Sequence, residues 1–217
     1  MTPQAKLTLV SAALAATLGL AAGPVAAVQR GDVLVRVGVA HVAPDADSDP
    51  VPGFGAASKV DVDSASSLGL NFTYMVTDNI GVQALAAWPF KHDIEGAGSI
   101  AGAGKVAETK HLPPTVTLQY HFVPEATVRP FVGAGINYTR FFSEKTEGLG
   151  GIDIALDDSW GWAAEVGVDV DVTADWFLSG QIFYLAMDTK AELGGGLGGI
   201  AVDIDPWVFV ASIGRTF

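Results

Sequence analysis

Apolar and polar residues alternate with a period of two along most of this chain. Trp160, Trp162, Ala164, Val166, Val168 and Val170 take turns with Ser159, Gly161, Ala163, Glu165, Gly167 and Asp169. Leu68, Leu70, Phe72 and Tyr74 do the same with Ser67, Gly69, Asn71 and Thr73. So do Val116, Leu118, Tyr120 and Phe122 with Thr115, Thr117, Gln119 and His121, and Val33, Val35, Val37 and Val39 with Leu34, Arg36, Gly38 and Ala40. One apolar face at every second residue is a strand signal. Weaker alternation marks 80–90, 131–141, 176–187 and 207–217, so eight strands are expected.

The connections sort into two kinds. Three are short (76–79, 123–128 and 171–175), and four are long and rich in Gly or Asp (43–63, 91–111, 143–158 and 188–205). Long and short strictly alternate. The pattern predicts an all-β fold, an eight-stranded antiparallel up-and-down transmembrane β-barrel with both termini on the short-turn, periplasmic side. Aromatic positions test this independently. Trp88, Phe90, Phe141, Trp160, Trp162, Trp207 and Phe209 are expected near the long-loop rim. Tyr74, Tyr120, Phe122, Phe131, Trp176 and Phe217 are expected near the other rim. Two aromatic belts suit a barrel in a bilayer. A soluble secreted β-sandwich also alternates, but it explains neither two belts nor so many small polar residues on the less apolar face.

Composition narrows the picture. Of 217 residues 49% are hydrophobic and none is Cys, which disfavours disorder and excludes disulfides and an acylated cysteine anchor. Twenty-four acidic against 12 basic side chains argue against nucleic acid as a partner. Lys6, the apolar stretch 7–22, Gly23-Pro24 and Val25-Ala26-Ala27 read as a secretory signal peptide. The expected division is a cleaved signal over 1–27 and a barrel over 28–217, because an apolar stretch that short makes a poor spanning anchor. Beyond it, the uncharged stretch 64–77 has only 14 residues and is rich in Ser, Gly, Asn and Thr, so no membrane helix is expected. The expected location is the Gram-negative outer membrane, reached through the periplasm and in contact with outer-membrane lipid and lipopolysaccharide.

The last strand ends on Phe217, with Phe209, Ala211 and Ile213 alternating before it. This resembles the insertion signal of bacterial outer-membrane barrels, which implies the barrel-assembly machinery as a partner through Phe217. Arg215 departs from that signal, at a cost of only about 0–1 kcal/mol near a membrane rim.

Longer segments carry a family likeness. LGLNFTYMVTDNIGV (68–82), KHLPPT (110–115), RPFVGAGINYTRFF (129–142), DSWG (158–161) with EVGVD (165–169), and DPWVF (205–209) resemble the OmpW family. The likeness covers nearly the whole chain after the signal and diverges in the long loops. It implies an eight-stranded outer-membrane barrel, passage of small hydrophobic molecules and, for some members, a role as receptor for bacteriocins or phage.

Side chains then suggest what the interior does. Eight strands enclose a lumen that side chains can just fill, which disfavours a broad aqueous pore. The inward set is expected to include Arg36, Asn71, Gln83, Gln119, Asn137, Glu165, Asp169 and Gln181, with Arg36, Glu165, Gln181 and Gln83 forming a polar plug. A charge inside a barrel calls for a partner. On the seventh strand Ser179 and Gln181 share a face with Phe183, Leu185 and Met187. With Leu85, these last three would make an apolar pocket open to the outside and floored by polar groups, or they are ordinary core. Pro89 faces Pro113 and Pro114 across one hairpin. Proline cannot donate to a ladder, so the three either unzip the wall into a lateral gate or merely end the strands.

Catalysis finds little support. His41, His92, His111 and His121 belong to no nucleophile or HExxH motif, so neither an enzyme nor a cofactor is expected. His92 and His111 flank one long connection, but two ligands do not make a specific metal site, and solvated rim histidines are expected. Asp45, Asp47 and Asp49 start like a calcium loop that fails at Pro50 and Ala56. They are expected to form a solvated acidic loop, with divalent bridging to anionic lipid as an alternative. Gly194–Gly199 reads as a flexible loop. Two readings stand: a channel for small hydrophobic molecules, or a non-transporting wall or receptor protein with a filled lumen.

Overall fold

Each strand of the wall puts its large apolar residues outward and its polar or small ones inward, the reverse of a soluble protein. The structure, a computed structural model, describes residues 27–146, 154–194 and 198–217. The expected signal lies outside the described residues apart from Ala27, and so do residues 195–197 of the run 194–199. Fifteen strands are described: β1 (Val33–Ala43), β2 (Asp47–Ser48), β3 (Ser58–Val62), β4 (Ala65–Met75), β5 (Ile80–Ala87), β6 (Phe90–Gly98), β7 (Lys105–Leu112), β8 (Thr115–His121), β9 (Val128–Thr146), β10 (Ile154–Leu156), β11 (Ser159–Asp171), β12 (Trp176–Leu185), β13 (Asp188–Leu193), β14 (Gly198–Asp203) and β15 (Trp207–Thr216). Eight of them close a barrel of antiparallel neighbours in the order β1-β4-β5-β8-β9-β11-β12-β15, and β15 returns to β1. The seam is finished by the chain end: Val33 N–H donates to the Phe217 carbonyl at 3.0 Å, and Phe217 N–H donates back to Val33 at 2.9 Å.

The long connections are not loops, as the sequence suggested, but further β-structure. On one side β3, β6 and β7 add to the outer half of β9; on the other β10, β13, β14 and β2 form a second, four-stranded sheet. Their backbone groups lie beyond the membrane, and pairing satisfies donors and acceptors that would otherwise be lost over a buried apolar face. Asp47 and Ser48, expected in a solvated loop, lie in β2, where Asp47 pairs with Lys59 and remains exposed.

The aromatic belts need a correction. Trp88, Trp160, Trp162, Trp207 and Phe209 are exposed on the outer girdle, and Tyr74, Tyr120, Phe122, Trp176 and Phe217 on the inner one. Phe131, Phe90 and Phe141 are buried inside instead. The reason is parity: on β9 the odd-numbered residues from Arg129 to Phe141 face inward, whichever rim they stand near. Arg215, the departure in the final strand, lies over the rings of Trp176 and Phe217 at 5.6 and 4.8 Å, with Asp175 3.9 Å away.

Candidate functional site: a layered lumen

The lumen is built in layers that the strand register dictates. Val28, Leu34, Met75 and Phe177 close the periplasmic end in a small apolar cluster. Above them lies a charged layer. Arg36 donates from Nε and Nη2 to the two Asp169 carboxylate oxygens at 3.2 and 2.7 Å, and from Nη1 to Thr73 at 2.8 Å. Its guanidinium stands 5.5 and 5.2 Å from the ring centres of Phe131 and Phe177. Arg129 pairs with Asp171 and shares the Phe177 ring, while His121 stacks on Phe131 at 5.0 Å. Small inward residues make this crossing feasible: a Cβ on Gly167 would lie 2.3 Å from the Phe131 ring, and one on Gly214 2.3 Å from Phe177.

Next comes an amide layer around Glu165. Gln83 and Gln181 donate to one Glu165 oxygen at 3.1 and 3.2 Å, Gln119 donates to the other at 3.1 Å, and Thr117 supplies a fourth hydrogen bond. Gln181 also donates to Gln83 at 3.0 Å. The structure thus brings Glu165, Gln83 and Gln181 into one network, whereas Arg36 takes Asp169 as its partner in the layer below. All the inward residues expected from the sequence, Asn71 and Asn137 included, are buried. These donors satisfy both Glu165 oxygens, so the buried carboxyl leaves no acceptor unpaired.

Beyond Gln181 the lining turns apolar. Phe183, Leu185, Met187 and Leu85 are buried together with Ala40, Val42, Phe90, Phe141, Val208 and Val210. Val208 and Val210 were not legible as lumen residues, because the outward Trp207 and Phe209 are apolar too and the alternation is silent there. Phe183, Leu185 and Leu85 are packed core rather than the walls of an open mouth. The space begins above them, at Met187 and the extra-membrane sheets: Phe141, Val42, Val51, Val60, Leu156 and Ile204 help line an apolar cavity of about 60 Å³.

His92 and His111 line the same cavity, and here the sequence reading is corrected. Both are buried rather than solvated, because they sit on the inner faces of β6 and β7. Their rings stack at 4.8 Å with a 20° interplanar angle, and His111 continues the stack to Phe90 at 5.4 Å. Burial pushes both imidazoles below the ordinary histidine range, His111 to about 3. The Asp63 carbonyl beside His92 opposes the effect of burial there but does not overcome it.

The prolines lie where wall and rim sheets meet. Pairing of β5 with β8 ends at Leu85 opposite Thr115, and pairing of β6 with β7 starts again at Phe90 opposite His111. Residues 86–89 and 112–114 therefore make no ladder pairs across that seam, although Tyr138 N–H still reaches the Pro114 carbonyl at 3.0 Å on the other flank. Pro89, Pro113 and Pro114 all fall within this interruption.

A closed eight-stranded barrel, an apolar outer wall between two aromatic girdles and a side-chain-filled lumen define a bacterial outer-membrane β-barrel. Residues 29–217 match the OmpW family model. The chain is 44% identical to outer membrane protein W of Vibrio cholerae over 212 residues, covering 94% of this chain and 97% of that one. It is 33% identical to the dibenzothiophene metabolism operon protein PahQ of Pseudomonas aeruginosa, covering 84% and 87%. The crystal structure of the outer membrane protein OprG from Pseudomonas aeruginosa superposes with a TM-score of 0.81 at 36% identity, covering 89% of this chain and 99% of that one. The chain belongs to the OmpW family and resides in the Gram-negative outer membrane.

Proposed function

We propose that this barrel passes small hydrophobic molecules from the outside into the outer membrane, through the apolar cavity and then sideways through the wall. The observation that carries the reading is the change of lining at one level of the lumen. Between the apolar cluster at the periplasmic end and Gln181, charged and amide side chains form the floor; from Phe183 upward the lining is mainly apolar, interrupted by buried polar side chains such as Thr115, Asn137 and the two histidines. An apolar solute in the cavity meets a floor that it could cross only by breaking paired polar groups, at a cost of several kcal/mol. The seam at Pro89, Pro113 and Pro114 is the exit that breaks fewest hydrogen bonds, since no ladder pairs join its two edges there. The relative PahQ, by its name a product of a dibenzothiophene metabolism operon, agrees with a hydrophobic solute.

Within this reading, Phe183, Leu185, Met187 and Leu85 form the base of the apolar path, and Arg36, Glu165, Gln181 and Gln83 form the plug. Residues 1–27 are the export signal, Phe217 presents the barrel to the assembly machinery, and the wall contacts lipid and lipopolysaccharide. A surface receptor or purely structural barrel is the second reading, favoured by the completeness of the floor. Refolded mature protein in liposomes separates the two: transfer of a small apolar probe is compared with that of a polar solute of equal size. Apolar transfer alone, lost in a folded Phe183→Asp/Leu185→Asp variant, supports the channel. Transfer of neither favours the receptor or wall.

A further inference from the structure

The two imidazoles that line the cavity give it a polar feature that an entry site for hydrocarbons alone does not need. His92 and His111 are each less than 5% exposed. The Nε2 atom of each is buried and has no hydrogen-bond partner among the described residues. For His92 the proton can be placed. Its Nδ1 contacts the Asp63 carbonyl oxygen, which only accepts, so Nδ1 must donate. Burial keeps the ring neutral, and the Nε2 of a neutral, Nδ1-protonated imidazole is a bare acceptor. An acceptor left unpaired in an apolar enclosure is costly, and any ligand that brings it a donor recovers that cost.

The surroundings fix the rest of the ligand. Apart from Thr109 and Thr189, whose hydroxyls donate to the Lys110 and Asp157 carbonyls, the other lining side chains are aliphatic or aromatic, and the enclosed volume of about 60 Å³ is several times the roughly 10–15 Å³ that a single water needs. Beside His92 the rings of His111, Phe90 and Phe141 form a rack, with His111 and Phe141 5.8 Å apart, against which a flat molecule stacks. From these features we infer that the cavity selects small, planar apolar molecules carrying one hydroxyl group, with the hydroxyl donating to His92 Nε2. This selection rests on the channel reading above and narrows its substrate class. The same rack runs from the cavity to Phe90, the residue that follows Pro89, so the recognised ring lies beside the interrupted seam.

The test uses three single-ring probes that differ in one group: phenol, which donates; anisole, which only accepts; and toluene, which does neither. Each is titrated near neutral pH into the refolded mature chain in lipid nanodiscs, with the histidine ring nitrogens followed by NMR. Phenol is expected to move the His92 Nε2 resonance and to bind about tenfold tighter than anisole or toluene, the scale of one hydrogen bond to a buried acceptor. In a His92→Phe variant phenol should fall to the affinity of toluene, with toluene unchanged. Equal binding of all three probes with Nε2 unmoved overturns hydroxyl selection and leaves the apolar entry site standing. Binding of none of them overturns both. The wild-type spectra decide the matter even where the variant fails to fold.

Discussion

Arg36 holds Asp169 through two N–H···O bonds of 3.2 and 2.7 Å in the floor of the lumen, where neither side chain is exposed to solvent. A fork of this kind fixes the guanidinium plane as well as its position. It lies between the rings of Phe131 and Phe177, so charge, hydrogen bonds and packing all resist passage at the same level. Removing one partner leaves a buried charge uncompensated. The Asp169→Asn variant should lose about 3–5 kcal/mol of unfolding free energy in urea titrations of the refolded barrel. An Arg36→Met/Asp169→Leu double variant should recover most of that loss. A double variant as unstable as the single one would show that the pair is not the dominant tie.

Packing of the floor predicts a second effect. Gly167 leaves the space that the Phe131 ring occupies, at 2.3 Å from where a Cβ would stand. Gly167→Ala should therefore cost about 1–3 kcal/mol by overpacking, measured in the same titrations. It should also separate His121 from Phe131, now stacked at 5.0 Å. An unchanged midpoint would mean that Phe131 has somewhere else to go.

The buried histidines give the extra-membrane sheets a pH dependence with a definite sign. His111 titrates at about 3 in the folded protein against about 6.5 when unfolded, and His92 is shifted in the same direction. Between those values the unfolded segment binds protons that the folded one refuses, so stability falls as pH drops from about 6.5 towards 3 and is flat above that window. Asp63 and Asp93, the charged groups that act on His92, reduce the effect without reversing it. Once rates are divided by the intrinsic exchange rate at each pH, the β6 and β7 amides should be less protected at pH 4.5 than at pH 7.5, and His111→Phe should remove much of that difference. Equal protection at both values would contradict burial of the pair.

Much of this architecture is written in the alternation of residues. Leu68 to Tyr74 and Trp160 to Val170 announce wall strands because their two faces meet different media, lipid and a polar lumen. Alternation falls silent where both faces are apolar. Val208 and Val210 sit inside while Phe209 sits outside, and nothing in the local pattern separates them. It also misleads beyond the membrane, where the connections 91–111 and 188–205 each fold back into a hairpin of paired strands although their Gly- and Asp-rich sequence reads as loop. Position along the chain showed His92 and His111 flanking one connection, but burial under a second sheet is a tertiary fact. The polar plug was legible as an inward set. The pairing of Arg36 with Asp169, and of Glu165 with amides, depended on register across the lumen.

Filling the cavity should close the path without touching its floor. Ala191 lines the space and is buried on β13. Ala191→Leu should reduce apolar transfer into liposomes several-fold while leaving the unfolding free energy within about 1 kcal/mol, since the added methylenes enter existing space. Undiminished transfer would place the route elsewhere.

Lateral exit is the central claim, and the seam between β5 and β8 is where it is most exposed to test. Pro89, Pro113 and Pro114 are replaced together by Val, which restores the missing backbone donors, and the refolded variant is assayed beside the wild type for transfer of a small apolar probe, of a polar solute of equal size, and of ions. The account predicts that wild-type protein transfers the apolar probe alone and that the triple variant, still folded, slows it markedly. An unchanged rate in the variant would contradict the lateral route, and equal passage of both solutes through the wild type would contradict the closed floor.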